Sequence, residues 1–288
     1  MTTPSTLFMP SAKSSRAKVL LLILLIAAFL PILFGYITNN HEFDDWNHSL
    51  RPAALAMLHG QSPYGAGFYN PPWGLLPFIP FAALPPAWGR FTLFLVSFCG
   101  FAYLARQLST KPASILLFLT SFPVIACLDS GNIDWLPMLG FVAPAPLALI
   151  LAVIKPQIGI GIAVYWLFES WRQGGARRIV LNFLPVSLLL GSSFLFYGLW
   201  PLAVPDLSAV SWNIALFPYT VPVGIFVLCT AILRREARPS MAAGILLSPY
   251  YSWMTLSSLL VALLHRPRFL AVAWIATWAA FIALTVLR

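Results

Sequence analysis

The chain has 288 residues, 60% of them hydrophobic and only 9% charged, with a mean hydropathy of +0.84. Soluble domains carry about 25% charged residues, so a water-soluble globular enzyme is excluded, and the apolar content excludes an intrinsically disordered chain. The formal net charge of +9 does not point to nucleic acid here, because loop Lys and Arg orient membrane helices by the positive-inside rule. The composition predicts an all-α, polytopic membrane protein with membrane lipids, not nucleic acid, as its surroundings.

Residues 1–18 are polar and basic, with Lys13, Arg16 and Lys18 ahead of the first apolar run. They predict a cytoplasmic tail, and residues 19–288 a single transmembrane domain. Val19–Ile37 meets the length of about 20 residues that a crossing helix needs. It is read as an anchor, since it is longer than a signal-peptide core and lacks a small-residue cleavage site. Residues 39–72 form the longest polar stretch, holding Glu42, Asp44, Asp45, His41, His48 and His59. Leu50–Leu58 is mildly amphipathic and predicts a short helix at the membrane surface. His41-Glu42 begins an H-E-x-x-H pattern, but Asp45 stands at its fifth position, so no metal and no cofactor are expected.

Further apolar runs lie at 72–84, 90–108, 112–128, 133–154, 156–170, 178–200, 218–233, 240–264 and 269–287, for about ten spans in all. The runs at 72–84 and 156–170 are short enough to be re-entrant. Alternating the ten from a cytoplasmic N-terminus places eleven Lys and Arg inside, Arg90 among them. Six fall outside: Arg51, Arg106, Lys111, Lys155, Arg266 and Arg268. The 39–72 loop then lies on the outer face of a cell membrane, with the 201–217 segment beside it. Asp129 and Asp134, around Gly131-Asn132, fall on the cytoplasmic side as helix caps. The 25 prolines and 17 glycines read as breaks in helices around an internal site. Cys99, Cys127 and Cys229 lack metal-ligand spacing and read as packing residues.

The segment from Phe43 to Trp73 is the most informative. Gly60, Pro63, Tyr64, Gly65, Gly67, Tyr69, Asn70, Pro71 and Pro72 make it turn-rich, aromatic and nearly uncharged after its acidic start. A loop that only had to be soluble would use more charge. Asp44 and Asp45 are adjacent, and mutual repulsion raises the pKa of one member of such a pair.

Asp45, Ala53-Ala54, Gly60, Tyr64, Tyr69, Pro71-Pro72, Pro80 and Leu84-Pro85 together resemble glycosyltransferase family 87, of the GT-C superfamily of membrane enzymes. Gly131-Asn132, Lys155-Pro156-Gln157 and Ser248-Pro249 with Trp253 are similar to later segments of that family. Met254 and Thr255 stand after Trp253, where several relatives carry a His. The resemblance implies a GT-C-like fold with a large first outer loop. It also implies transfer of a hexose, chiefly mannose, from a polyprenyl-phosphate sugar donor to a lipid or glycan acceptor. In that reading Asp45 is the base, with Asp44 as the rival one residue away. Lys155 holds the donor phosphate, Arg51 and Arg266 are second choices, and Tyr64, Tyr69 and Asn70 shape the site. Two other readings stay open, a transporter or flippase for a lipid-linked substrate and an inactive GT-C relative acting as a scaffold.

Overall fold

The computed structural model describes residues 30–39, 45–204, 207 and 210–286. Asp44, His41 and Glu42 lie outside the described residues. Met1–His41 and Glu42–Arg288 are two separate units. In the first, residues 30–39 are helical (α1), and Thr38 Oγ1 donates to the Phe34 carbonyl at 2.8 Å.

Every regular element in the described part of the second unit is helical. A π-helical turn, Trp46–Leu50, runs into α2, Arg51–Leu58, so the amphipathic segment is a helix as expected. It packs inward, because Trp46, Ala53 and Ala54 are fully buried. The turn-rich loop holds a 3₁₀ turn at Pro63–Ala66 and another at Pro72–Phe78, followed by α3, Ile79–Ala82. Then come α4 (Pro86–Leu108), α5 (Pro112–Leu119), α6 (Phe122–Ser130), α7 (Trp135–Met138), α8 (Ala145–Ala152) and α9 (Pro156–Tyr197). The chain ends with α10 (Val221–Arg234), α11 (Ala237–Leu247), α12 (Ser257–Leu263) and α13 (Pro267–Val286).

Many prolines prove to be helix openers. Pro86, Pro112, Pro123, Pro146, Pro156, Pro222 and Pro267 sit in the first turn of their helices. There the missing N–H would have no partner anyway, and the fixed φ already suits the helix. The high proline count thus reflects the number of helix starts as much as interrupted spans.

Among the described residues, α4, α9 and α13 are long and apolar enough to cross a membrane. The pair α5 and α6, bent by 50°, makes a fourth if it is one span. A straight helix of α9's 42 residues would extend about 63 Å at 1.5 Å per residue, twice what a bilayer needs. It breaks at Gly174-Gly175, where Gly175 has φ +58, and its two halves match the expected runs at 156–170 and 178–200. The exterior is apolar: Leu188, Leu195 and Phe196 on α9 are exposed, and α13 buries only Leu270. Cys99 and Cys229 face outward too, whereas Cys127 is buried.

Three apolar runs depart from simple crossings. The 72–82 segment is eleven residues of 3₁₀ and α-helix, about half a bilayer's depth. The 133–154 run is cut into α7 and α8 and folds back, since Asp134 at its start pairs with Lys155 at its end. The 240–264 run is interrupted at residues 248–252, and both its flanks return to one pocket, lined by Arg238 and His265.

Close helix crossings rest on glycine. A Cβ on Gly244 would stand 2.6 Å from the Ile158 carbonyl oxygen, and one on Gly161 would overlap the Ser240 carbonyl. Small residues allow this approach of α9 and α11, as is usual between membrane helices. Gly161→Ala is therefore expected to lower the unfolding temperature in detergent, at a cost of about 1–3 kcal/mol from overpacking. Gly191→Ala, where nothing lies within 4 Å of an added Cβ, is expected to leave it unchanged or raise it. Equal effects of the two variants would contradict this account of the crossing.

Candidate functional site

The loop after α6 and the start of α9 bring three polar side chains, Asn132, Asp134 and Lys155, to Asp45 at the entry of the π-helical turn. Asp45 occupies the cap position of that turn, but its carboxylate makes no cap bond and turns instead to Asn132. Asn132 Nδ2 donates to Asp45 Oδ2 at 2.7 Å, and Lys155 Nζ donates to Asn132 Oδ1 at 2.7 Å. The Asp134 backbone N–H donates to the same amide oxygen at 3.1 Å. This orientation of the amide is the chemically consistent one, with its NH₂ toward the carboxylate and its oxygen toward the ammonium. Lys155 Nζ also forms an ion pair with Asp134 Oδ1.

The pair is deeply placed. Asp134 is fully buried and Lys155 is 8% exposed, while Asp134 Oδ2 has no hydrogen-bond partner among the described residues. Asp45 is half-buried. Ser130 Oγ lies 3.5 Å from Asp45 Oδ2 and 2.9 Å from Met254 Sδ. Met254, the residue after Trp253, therefore borders the Asp45 site. Burial lifts the Asp45 carboxyl above the ordinary carboxylate range, partly offset by the Lys155 charge and the Asn132 bond; the Asp134 charge adds to the lift.

Local backbone explains why Asn132 reaches both partners. Gly131 caps α6 in the left-handed conformation (φ +68) and turns the chain sharply. A Cβ there would collide with the Arg90 guanidinium and come 2.9 Å from Trp46 Cβ, so the position takes glycine only. Arg90 is 2% exposed, and its Nη2 donates to the Asp129 carbonyl.

These placements correct two expectations. Asp134 is not a helix cap on the far side: its side chain makes no cap bond and neutralises Lys155. Arg90 is not a loop charge on the face opposite Asp45, because it lies buried beside Gly131, one residue from Asn132. Asp134 and Lys155 meet because the 133–154 run folds back so that its two ends come together. The signal was present in Pro137, Pro144 and Pro146, which break the 133–154 run.

The other expected site residues fall elsewhere. Tyr64 stacks on Trp200 at 5.2 Å, meets Tyr197 edge-on at 6.0 Å, and its hydroxyl donates to the Asn70 carbonyl at 3.3 Å. Tyr69 is exposed. Arg51 opens α2 and is half-buried. Among the described residues none of these four is hydrogen-bonded to Asp45, Asn132 or Lys155. Asn213 ties its segment to the 248–252 break, donating to the Pro249 carbonyl and accepting from the Tyr251 N–H, each at 3.1 Å.

No family model matches the chain, and neither a curated protein nor a solved structure matches it.

Proposed function

We propose that the chain is a GT-C-like membrane glycosyltransferase, moving a hexose, mannose first among them, from a polyprenyl-phosphate donor to a lipid or glycan acceptor. The observation that carries this is the chain Asp45–Asn132–Lys155, which joins a carboxylate and an ammonium from distant segments through one amide at 2.7 Å on each side. Inverting transfer needs such neighbours. Asp45 takes the proton of the acceptor hydroxyl as that oxygen attacks the anomeric carbon. The bond from that carbon to the phosphate oxygen breaks, and polyprenyl phosphate leaves with the electron pair toward the cationic side. General-base catalysis of this kind supplies about 10²–10⁴-fold.

The distribution of charge supports an outer-face site. Arg172 Nη1 donates to the Ile232 carbonyl, and Lys111, Arg238 and His265 line one pocket. By these contacts and by chain adjacency, Arg106, Lys111, Arg172, Arg177, Arg178, Arg234, Arg235, Arg238, Arg266 and Arg268 share one face of the second unit. Arg51, Arg90 and Lys155 lie toward the other, with Asp45. This asymmetry is sharper than simple alternation gives, and the positive-inside rule makes the basic face cytoplasmic. In this proposal the runs at 72–84, 133–154 and 240–264 re-enter, and the chain crosses fewer than ten times.

The test is transfer of labelled mannose from polyprenyl-phosphate mannose in vesicles holding the purified chain, followed against pH. Ionised Asp45 is the active form, so the rate is lost as pH falls through its raised pKa. The acid limb is expected above the ordinary carboxylate titration near pH 4. A rate that stays flat down to that pH would contradict the assignment of the base.

One observation favours a second reading. Ionisable side chains buried in a membrane protein often belong to proton relays or substrate pathways, and the buried Lys155–Asp134 pair is of that kind. A carrier of lipid-linked sugar would move the labelled donor across the vesicle wall intact. Label recovered only in unchanged donor, redistributed between leaflets, would decide for transport.

A further inference from the structure

On the face opposite Asp45, a cavity of about 250 Å³ opens between the end of α4, the start of α5, the start of α11 and the α12–α13 connection. Gln107, Ser109, Thr110, Lys111, Arg238 and His265 line it, and no carboxylate does. Lys111 and Arg238 are exposed, while Ser109 is buried. Lys111 is the cap residue of α5, Arg238 the second residue of α11, and His265 stands two residues before α13. Three helix N-termini thus meet at the rim, each contributing partial positive charge to that of the side chains. Burial, then Arg238 and Arg266, hold the His265 imidazole below its ordinary pKa. The positive charge at the pocket therefore comes from Lys111 and Arg238, and the exposed Glu236 carboxylate, cap residue of α11 and outside the lining, offsets part of it.

The surroundings are apolar where an acyl chain would lie. Leu108 lines the cavity, Leu116 and Phe269 are exposed, and the Arg266 guanidinium sits 5.9 Å from the centre of the Phe269 ring. A cationic pocket beside exposed apolar side chains matches a phosphate headgroup with its chains alongside. Scattered positive-inside charges would need no cavity.

We propose that this pocket binds the phosphate group of an anionic lipid of the inner leaflet, with Lys111 and Arg238 as its ligands. The proposal is independent of what the Asp45 site does. It is tested by native mass spectrometry of the full chain in detergent, offered phosphatidylglycerol or phosphatidylcholine at equal concentration. Each cation near an anionic lipid contributes about fivefold, so Lys111→Gln with Arg238→Gln is expected to reduce retained phosphatidylglycerol about 25-fold. Arg177→Gln with Arg178→Gln removes the same charge from exposed positions away from the cavity and is expected to keep it. Both pairs alter exposed side chains, and matched unfolding temperatures verify the fold. Inorganic phosphate that displaces the lipid would show the anion itself to be the ligand, and failure to displace it would show that the acyl chains are required. Equal retention of the two lipids by the unaltered chain, or equal loss in both variant pairs, would overturn the proposal.

Discussion

Replacing Asp134 with Asn is expected to cost about 3–5 kcal/mol, the usual consequence of removing one partner of a buried ion pair. The change is nearly isosteric, so packing stays as it is. It leaves the Lys155 ammonium, 8% exposed, with the neutral Asn132 amide as its nearest partner. Lys155→Met alone is expected to be similarly damaging, since it strands a fully buried carboxylate. The double change Asp134→Leu with Lys155→Met removes both charges and is expected to recover most of the loss, because apolar replacements of buried pairs are often neutral or stabilising. Thermal unfolding in detergent reads all three. If Asp134→Asn unfolds within about 0.5 kcal/mol of the unaltered chain, as surface substitutions do, the pair is solvated and the description of the site fails. Recovery in the double variant would also show that stability does not require these charges, leaving function as the reason for them.

Much of this was legible in the sequence, and the limits are physical. Hydrophobic runs and their lengths gave the helical, membrane-embedded class, and α4 and α13 fall almost where the runs at 90–108 and 269–287 place them. Asp45 and Lys155, expected as base and as phosphate ligand, lie on opposite sides of one amide. Tyr64 and Asn70 contact each other, but Tyr64 belongs to an aromatic group with Trp200. Alternation failed wherever a run folds back. Hydropathy measures whether a segment tolerates lipid, not whether it crosses, and one misjudged crossing moves every later charge to the wrong face. Asp134 was missed for that reason. An acid and a base at the two ends of a proline-broken apolar run are the signal that would have found it. Arg90 was hidden differently, because its burial depends on Gly131, 41 residues away in sequence.

The second large effect concerns Asp45. Asp45→Asn keeps the shape of the side chain and a hydrogen-bonding group toward Asn132, while removing the proton acceptor. The rate of sugar transfer is expected to fall about 10²–10⁴-fold, the span that a positioned general base supplies. Stability is expected to change little: Asp45 is half-buried, and burial already disfavours its charged form. A kinetic loss without an unfolding shift separates this variant from Asp134→Asn, whose first effect is on the fold. The most direct measurement is transfer of labelled mannose from polyprenyl-phosphate mannose by the purified chain and by Asp45→Asn, side by side at matched amounts and matched unfolding temperature. Product from the unaltered chain that vanishes in Asp45→Asn is the predicted result. Equal product from both, or none from the unaltered chain with donor and mixed lipid acceptors supplied, would contradict Asp45 as the base of a transferase.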